Sequence, residues 1–304
     1  MKTLSVALQR FLKSRGELRT IAVLLLLGSG LSHLQSSPLQ QGSSSASTVL
    51  ITARSNDAAA VELAASDLAI KIDGKAAPVR QVRRLSGTPL HYCVLFDTSR
   101  SQQASMNQQR SAALELLAKV IHAGTDRGWF VPFSDDPRPG PETDSPSEIE
   151  AAIRKEQPKG GTALYDAMVS CSERMRNGPP DPGLRAMFIF SDGQDNESRL
   201  TVIMTVEALL KAQVRVYVAG AESKTKYPRT SRALQMFAAS SGGKIYLEKE
   251  KASAIIADIA DDLANLYAVE YMPPDRKSDN RVHSLEVKCN KRISVSAPDR
   301  YLRP

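Results

Sequence analysis

The chain has 304 residues, of which 42% are hydrophobic and 24% charged, and this ordinary globular composition excludes wholesale disorder. The net charge is +7, but residues 1–46 account for +4 of it. The remainder is only weakly basic, and aromatic residues make up 5% of the chain, so nothing indicates a nucleic-acid-binding protein.

Residues 1–35 have the pattern of a signal peptide or N-terminal anchor. A basic stretch leads into the apolar run 21–31, which suits a signal peptide, whereas a membrane-spanning helix needs about 20 apolar residues. Cleavage near 44–46 and retention of an uncleaved anchor both stay open. No later segment is apolar and long enough to span a bilayer. We therefore expect an exported protein, periplasmic or secreted, with membrane tethering if the segment is retained.

A linker and a small β segment follow. Residues 36–47 are rich in Ser and Gln, a composition that buries no core and predicts a flexible linker. Residues 48–88 predict short strands at 48–53 and 68–72. The dipeptide Asp73-Gly74 favours a hairpin turn, with a returning strand at 77–82.

Residues 89–270 alternate between strand and helix patterns. The predicted strands are 91–96, 128–133, 186–190, 214–219 and 244–247. The predicted helices are 102–122, 147–155, 163–176, 201–212, 231–240 and 253–266. Continuous apolar strands are typical of a sheet that helices cover on both faces. The pattern predicts an α/β, doubly wound, mostly parallel sheet. The tail, 271–304, is again β-prone, and we expect it to pack with the early β segment as an accessory β module.

The three cysteines, Cys93, Cys171 and Cys289, have the spacing of neither a disulfide framework nor a zinc site. Cys93 lies in a predicted strand and Cys171 in a predicted helix. Both are therefore expected to be small core side chains.

Three predicted loops carry oxygen ligands. The first holds Asp97, Ser99 and Ser101, directly after the 91–96 strand. The second brings Thr162 after two glycines, and the third brings Asp192 after the 186–190 strand. Ligands of such sheets bind at the carboxyl ends of the strands. Carboxylates and hydroxyls are hard ligands that suit Mg²⁺, Mn²⁺ or Ca²⁺. We predict a metal site formed by Asp97, Ser99, Ser101, Thr162 and Asp192.

Each loop also has a simpler interpretation. Ser99, Ser101 or Thr162 could cap the following helix, and Asp192-Gly193 by itself could be a turn. The placement of all three loops at the ends of successive strands favours the metal site.

The order of these motifs, D-x-S-x-S, then G-G-T-A-L-Y-D, then S-D-G after an apolar strand, resembles the von Willebrand factor type A (VWA) domain. The resemblance covers residues 89–270 and implies a metal-ion-dependent adhesion site (MIDAS) at the five positions above. Arg100 is a departure, because a glycine is common at that position of the family. The segments D-L-A-I-K-I-D-G-K at 67–75 and Y-A-V-E-Y at 267–271, with a β tail ending in Arg300-Tyr301, resemble the exported "VWFA-related" proteins of acidobacteria.

The resemblance implies an adhesion-type module whose cation binds an Asp or Glu carboxylate of a protein partner. An alternative is a structural or assembly component of the cell envelope with a purely structural metal. A hydrolase is a remote alternative, and we expect no enzyme: the chain has no G-x-S-x-G elbow and no P-loop, and its four histidines lie outside the three loops.

Two weaker features are expected to be solvated surface. One is the basic loop at 222–232. The other is the acidic group Asp258, Asp261 and Asp262 on the last predicted helix.

Overall fold

The computed structural model describes residues 46–55, 61–178, 183–221, 228–247, 250–275 and 278–303. The predicted export segment, most of the linker and residues 222–227 of the predicted basic loop lie outside them. The strands are β1 (Ser47–Arg54), β2 (Leu68–Ile72), β3 (Lys75–Ala77), β4 (Val79–Arg84), β5 (Leu90–Asp97), β6 (Arg127–Phe133), β7 (Leu184–Phe190), β8 (Arg215–Ala221), β9 (Lys244–Leu247), β10 (Leu266–Tyr271), β11 (Val282–Cys289), β12 (Ser294–Ser296) and β13 (Arg300–Leu302). The α-helices are α1 (Met106–Val120), α2 (Pro146–Lys155), α3 (Leu164–Asn177), α4 (Val202–Ala212), α5 (Pro228–Ser241) and α6 (Ala252–Ala264).

A five-stranded parallel sheet confirms the predicted doubly wound α/β fold. Its strands lie in the order β6-β5-β7-β8-β9, and every neighbouring pair is parallel. In this sheet, β5 comes first in the sequence, β6 lies on one side of it, and β7, β8 and β9 follow one another on the other side. The strand order therefore reverses around β5, and the crevice at such a reversal is where open α/β sheets bind ligands.

Helices cover both faces of this sheet, which explains its continuous apolar strands. Along β5, Tyr92, Val94 and Phe96 enter one core with residues of α1, α2 and α6. Cys93 and Leu95 enter the opposite core with residues of α3, α4 and α5. Because successive side chains of a strand point to opposite faces, one strand supplies both cores.

Two antiparallel sheets hold the remaining strands. Their orders are β12-β1-β10-β4 and β13-β11-β2-β3, so each sheet combines strands from both ends of the chain. Ile51 and Val269 from one sheet share a core with Ile70 and Leu285 from the other. The accessory β module thus has a sandwich core of its own. Its domain boundaries stay a prediction.

The single returning strand predicted at 77–82 is wrong. The chain divides at Pro78 into β3, which pairs with β2, and β4, which pairs with β10 in the other sheet. Proline has no N–H to donate to a strand ladder. Its carbonyl still accepts a 2.9 Å hydrogen bond from the Met272 N–H. Pro78 therefore marks where the chain crosses between the sheets.

None of the helices that the structure describes has the length and apolar character needed to cross a membrane.

A buried ion pair links the parallel sheet to the sandwich. Asp262 of α6 is completely buried, so its predicted place on a solvated helix face is wrong. Its Oδ2 accepts from Arg215 Nε at 3.0 Å and from the Tyr217 hydroxyl at 2.7 Å. Arg215 Nη2 in turn donates to Thr52 Oγ1 on β1 at 2.7 Å. Burial by itself would raise the pKa of Asp262, but the Arg215 charge and the Tyr217 hydrogen bond outweigh it and lower that pKa.

Replacing Asp262 should destabilise the fold far more than replacing its neighbour on the same helix. Asp262→Ala leaves the Arg215 guanidinium buried without its carboxylate, and we expect the free energy of unfolding to fall by about 3–5 kcal/mol. Asp261 pairs with Arg54 at 2.8 Å but is 54% exposed, so Asp261→Ala should cost less than about 1 kcal/mol. Urea unfolding of both variants measures the difference, and equal losses would contradict the role of the buried pair.

His283 in the sandwich should make the stability of the protein depend on pH. His283 Nδ1 lies 2.6 Å from Asp73 and Nε2 lies 3.1 Å from Asp279. Burial alone would lower the pKa of His283, but these two carboxylates raise it above 6.5. Protonated His283 therefore stabilises the fold at low pH, and this contribution is lost as the pH rises through the raised pKa.

When the pH is raised from about 6 to about 8.5, we expect the urea midpoint of the wild type to decrease by more than the urea midpoint of His283→Gln. Parallel pH profiles for the two proteins would show that the contacts contribute nothing.

Candidate metal centre

The predicted oxygen ligands lie at the carboxyl ends of β5 and β7, which are neighbours in the sheet. Phe96 of β5 is paired with Phe190 of β7. The residues that follow, Asp97 on one strand and Ser191-Asp192 on the other, therefore leave the sheet side by side. This position is the reversal point of the strand order.

The first loop forms a continuous polar network. The Asp97 carboxylate is completely buried, and its Oδ1 accepts from the Ser99 N–H at 2.9 Å. The Ser99 and Ser101 hydroxyl oxygens lie 2.9 Å apart. Thr98 is turned the other way, and its hydroxyl donates to the Phe133 carbonyl at 2.9 Å. The side chains at 97, 99 and 101 thus share one side of the loop.

Backbone hydrogen bonds hold the second loop against the first. The Arg100 N–H donates to the Gly160 carbonyl at 3.2 Å, and the Lys159 N–H donates to the Thr98 carbonyl at 2.6 Å. These bonds bring the chain up to Thr162, which is 2% exposed.

The third loop connects to both of the others. The Ser191 hydroxyl donates to Asp97 Oδ2 at 2.6 Å, which joins the first and third loops directly. Asp192 is 8% exposed, and its Oδ1 accepts from the Gln194 N–H at 2.9 Å. Farther along, Asn196 Oδ1 accepts from the Thr162 N–H at 2.8 Å, which joins the third loop to the second. Asp97, Ser99 and Ser101 thus belong to one hydrogen-bonded network. Thr162 and Asp192 are connected to this network through the backbone of their loops.

The helix-capping alternative does not fit this geometry. Ser99 precedes a short 3-10 turn, Arg100–Gln103, but makes no side-chain cap hydrogen bond. The N-cap of α1 is Ser105, and the N-cap of α3 is Ala163 rather than Thr162. The hydroxyls of Ser99 and Thr162 are therefore not used as caps.

The electrostatics of the loops favour a cation. Burial and the nearby Asp192 charge raise the pKa of Asp97 to about 6, although hydrogen bonds from Ser191 and Ser99 partly oppose the shift. Among the described residues, no basic side chain lies within 4 Å of either carboxylate. Arg100 lies between Ser99 and Ser101 in sequence, but its side chain is exposed. Two acidic groups next to each other without a basic partner are what a bound divalent cation would balance.

The donor set is rich in hydroxyls and poor in carboxylates. Within the described ranges, no three His, Cys, Asp or Glu side chains are grouped so that they could hold a metal. The candidate site has only two carboxylates, so the three hydroxyls are essential to it. Mg²⁺ suits such a set, because it often retains several waters and needs only one or two protein carboxylates.

Sequence reasoning missed two residues that position the site, Ser191 and Asn196. Ser191 belongs to the recognised S-D-G motif, and its place directly after an apolar strand could have identified it. Nothing in the sequence around Asn196 indicates its contact with Thr162, because 34 residues separate the two.

The strand order, the helices on both faces and three oxygen-bearing loops at the reversal point occur together. This is the arrangement that the resemblance to the von Willebrand factor type A (VWA) domain predicts for residues 89–270. Within this α/β domain, β5, β7 and the loop before α3 supply the positions of the candidate metal site.

Comparisons with known proteins add structural likenesses only. No protein-family model matches the sequence, and no curated protein matches it. A von Willebrand factor type A protein from Catenulispora acidiphila is 10% identical, with a TM-score of 0.48 over 86% of this chain and 75% of that one. An aerotolerance-related membrane protein from Bacteroides fragilis is 15% identical, with a TM-score of 0.47 over 57% of this chain and 98% of that one.

A third similar structure is proximal thread matrix protein 1 of the mussel byssus, in a form with a zinc-occupied MIDAS motif. It is 20% identical, with a TM-score of 0.47 over 62% of this chain and 48% of that one. At these identities and TM-scores, the likenesses carry no conclusion about the site of this chain.

The second loop should tolerate no side chain at Gly160. Gly160 has φ +69°, and an added Cβ would lie 2.4 Å from the Asp135 carboxylate, which accepts from the Gly161 N–H at 2.6 Å. Gly160→Ala should therefore combine backbone strain of about 1 kcal/mol with loss of that hydrogen bond, worth about 1 kcal/mol more.

Gly124 is the matched control, with φ +74° and open space around its missing Cβ. Gly124→Ala should show only the backbone cost in urea unfolding. If both variants lose the same stability, Asp135 does not restrict the loop.

Proposed function

We propose that this chain is an exported, metal-dependent binding module that recognises an acidic group of a protein partner. The observation that carries the proposal is the network that joins buried Asp97 to Ser99, Ser101 and Ser191, beside Asp192 and without a basic partner among the described residues. The proposed metal-binding residues are Asp97, Ser99, Ser101, Thr162 and Asp192.

Each residue would have a defined part in holding Mg²⁺, with Mn²⁺ or Ca²⁺ as alternatives. Ser99 and Ser101 offer hydroxyl oxygens from one side of the first loop, and Thr162 offers another from the second. The hydrogen bonds from Ser99 and Ser191 fix the orientation of Asp97. When bound, the cation supplies positive charge and an open position that a carboxylate can fill.

The surface next to the site suits a protein partner. Ser101 is exposed, so the site reaches solvent at the first loop. Ile203 and Met204, at the start of α4, are 69% and 49% exposed. The segment after Asp192 leads to this helix, so apolar side chains lie at the same sheet edge as the acidic site. A partner could place a carboxylate on the metal and apolar groups against α4.

The N-terminal segment supports the proposed location, and the chemistry of the three loops supports a binding role. The signal-like N-terminus supports export, to the periplasm or outside the cell, with membrane tethering if that segment is retained. We propose no catalytic role. In the three loops, carboxylates and hydroxyls contact one another and backbone groups, and the three histidines that the structure describes, His91, His122 and His283, lie elsewhere in the fold.

One observation favours a second candidate, a purely structural metal in an envelope component. Asp97 and Ser99 are completely buried, and Thr162 is 2% exposed, which leaves little access from solvent. A closed site of this kind would stiffen the loops without recognising a carboxylate.

The first test is calorimetric titration of Mg²⁺ and Mn²⁺ into the full-length protein and its variants. We expect saturable binding that weakens at least about ten-fold in Asp97→Asn and in Ser99→Ala, because each variant removes a metal-binding oxygen. Thr98→Val is the matched control, since that hydroxyl faces the Phe133 carbonyl, and it should bind as the wild type does. Absence of binding in a folded wild type, or equal weakening in the control, would overturn the site.

The second arm separates recognition from a structural metal. Binding energies of two ligands that interact are reciprocal, so acetate should increase the apparent Mg²⁺ affinity if a carboxylate fills an open position on the metal. A closed structural site should give the same Mg²⁺ affinity in acetate and in chloride. That result would leave the metal site standing and remove the adhesion mechanism.

A further inference from the structure

A cavity of about 640 Å³ lies at the opposite edge of the parallel sheet from the candidate metal centre. Its walls come from the start of β1, the carboxyl ends of α4 and α5, the beginning of β8, and β13. Because parallel strands all begin at one edge and end at the other, a cavity at the start of β8 is remote from loops that follow β5 and β7. It is therefore a separate feature of the molecule.

The size of the cavity suits a small organic molecule. Ligand pockets in proteins have volumes of about 300–1,000 Å³, whereas one water molecule occupies about 30 Å³. The cavity is partly open to solvent, so a small organic molecule could enter it.

Two buried donors at this cavity have no acceptor among the described residues. Arg215 is 2% exposed, and its Nε and Nη2 are satisfied by Asp262, Tyr217 and Thr52, but Nη1 has no hydrogen-bond partner. Ser240 is completely buried, and its hydroxyl also has none. Buried donors are nearly always paired, because leaving one unpaired costs about 1–3 kcal/mol. Both residues belong to the cavity lining, and a small shift of their side chains toward the cavity would let a ligand oxygen satisfy them.

The charges around the cavity select an anion. Its described lining contains four basic residues and no acidic one: Arg176, Lys211, Arg215 and Arg300. Asp262 neutralises Arg215 inside the fold. The acids near Lys211 and Arg300, Glu207 and Asp299, lie 3.6 Å away and are 41% and 53% exposed, so solvent screens these pairs. The cavity therefore has a positive potential that its own lining does not cancel.

Part of the remaining wall is apolar. Val49, Leu209, Leu285 and Leu302 are buried and line the same space. An inorganic anion would leave this apolar surface without contacts, whereas a molecule with a charged head and an apolar body would cover both kinds of wall.

We propose that this cavity binds a small amphipathic anion, a carboxylate attached to an apolar chain or ring. The carboxylate accepts from Arg215 Nη1 and the Ser240 hydroxyl, and the apolar part packs against Leu209 and Leu285. This site neither requires nor contacts the proposed metal centre.

Decanoate is the probe, titrated calorimetrically into the full-length protein. We expect saturable binding at one site. Decanol has a similar chain without the charge, and acetate has the charge without the chain, so each should bind at least about ten-fold more weakly. Equal binding of decanol, or no decanoate binding at millimolar concentration, would overturn the proposal. Binding of anionic phosphatidylglycerol vesicles without binding of free decanoate would also overturn it, because the cavity holds a single small molecule.

Substitutions in the cavity lining test where decanoate binds. Arg215→Ala is unsuitable, because it would leave Asp262 buried without its partner. Ser240→Ala and Arg300→Gln retain the fold contacts described above and should each weaken decanoate binding by about five- to ten-fold. Arg127→Gln is the control, since Arg127 is 64% exposed on β6 and lies outside the cavity lining. Unchanged binding in the two cavity variants, or equal weakening in the control, would show that decanoate binds elsewhere.

Titration of Mg²⁺ into Ser240→Ala keeps the two proposals distinguishable. We expect wild-type metal binding together with weakened decanoate binding. Weakened binding of both ligands would instead indicate a general loss of structure and would overturn the assignment of Ser240.

Discussion

The parallel pairing of β5 with both β6 and β7 is the constraint on which the rest of this structure depends. It places the carboxyl ends of three strands at one edge and makes β5 the point where the strand order reverses. A loop that leaves β5 must therefore run beside the loop that leaves β7. The hydrogen bond from Ser191 to Asp97 joins those two loops at this point. Acidic and hydroxyl side chains 94 residues apart thereby become neighbours.

The second organising interaction is the buried pair of Arg215 and Asp262. Arg215 opens β8 and Asp262 lies on α6, while the same guanidinium reaches Thr52 on β1. A strand from the beginning of the chain is thereby fixed to the α/β layer. Such a pair contributes little net stability compared with an apolar contact, but removal of either partner leaves a buried charge. Its effect is to specify how the sandwich and the parallel sheet meet.

The two edges of the parallel sheet carry buried polar groups of opposite character, acceptors at one edge and donors at the other. At the carboxyl edge, Asp97 and Asp192 are acceptors without a basic partner among the described residues, and a cation would balance them. At the amino edge, Arg215 Nη1 and the Ser240 hydroxyl are donors without an acceptor among the described residues, next to a cavity whose described lining has no acidic residue. Buried negative charge without a basic partner at one edge and buried donors without an acceptor at the other are both costly in a folded protein, which is why we assign a ligand of opposite character to each.

The sequence by itself determined the α/β alternation, the apolar strands and the five oxygen-bearing positions, because these depend on local periodicity and on residue type. Tertiary structure decided what depends on contacts between distant residues. Asp262 has the sequence pattern of a solvated face, yet Arg215 from another element buries it. Pro78 divides a predicted strand because Val79–Arg84 has a better partner in β10, far along the chain. The contact between Asn196 and Thr162 and the cavity at the start of β8 both form where distant segments of the chain meet. No local sequence pattern could therefore have indicated them.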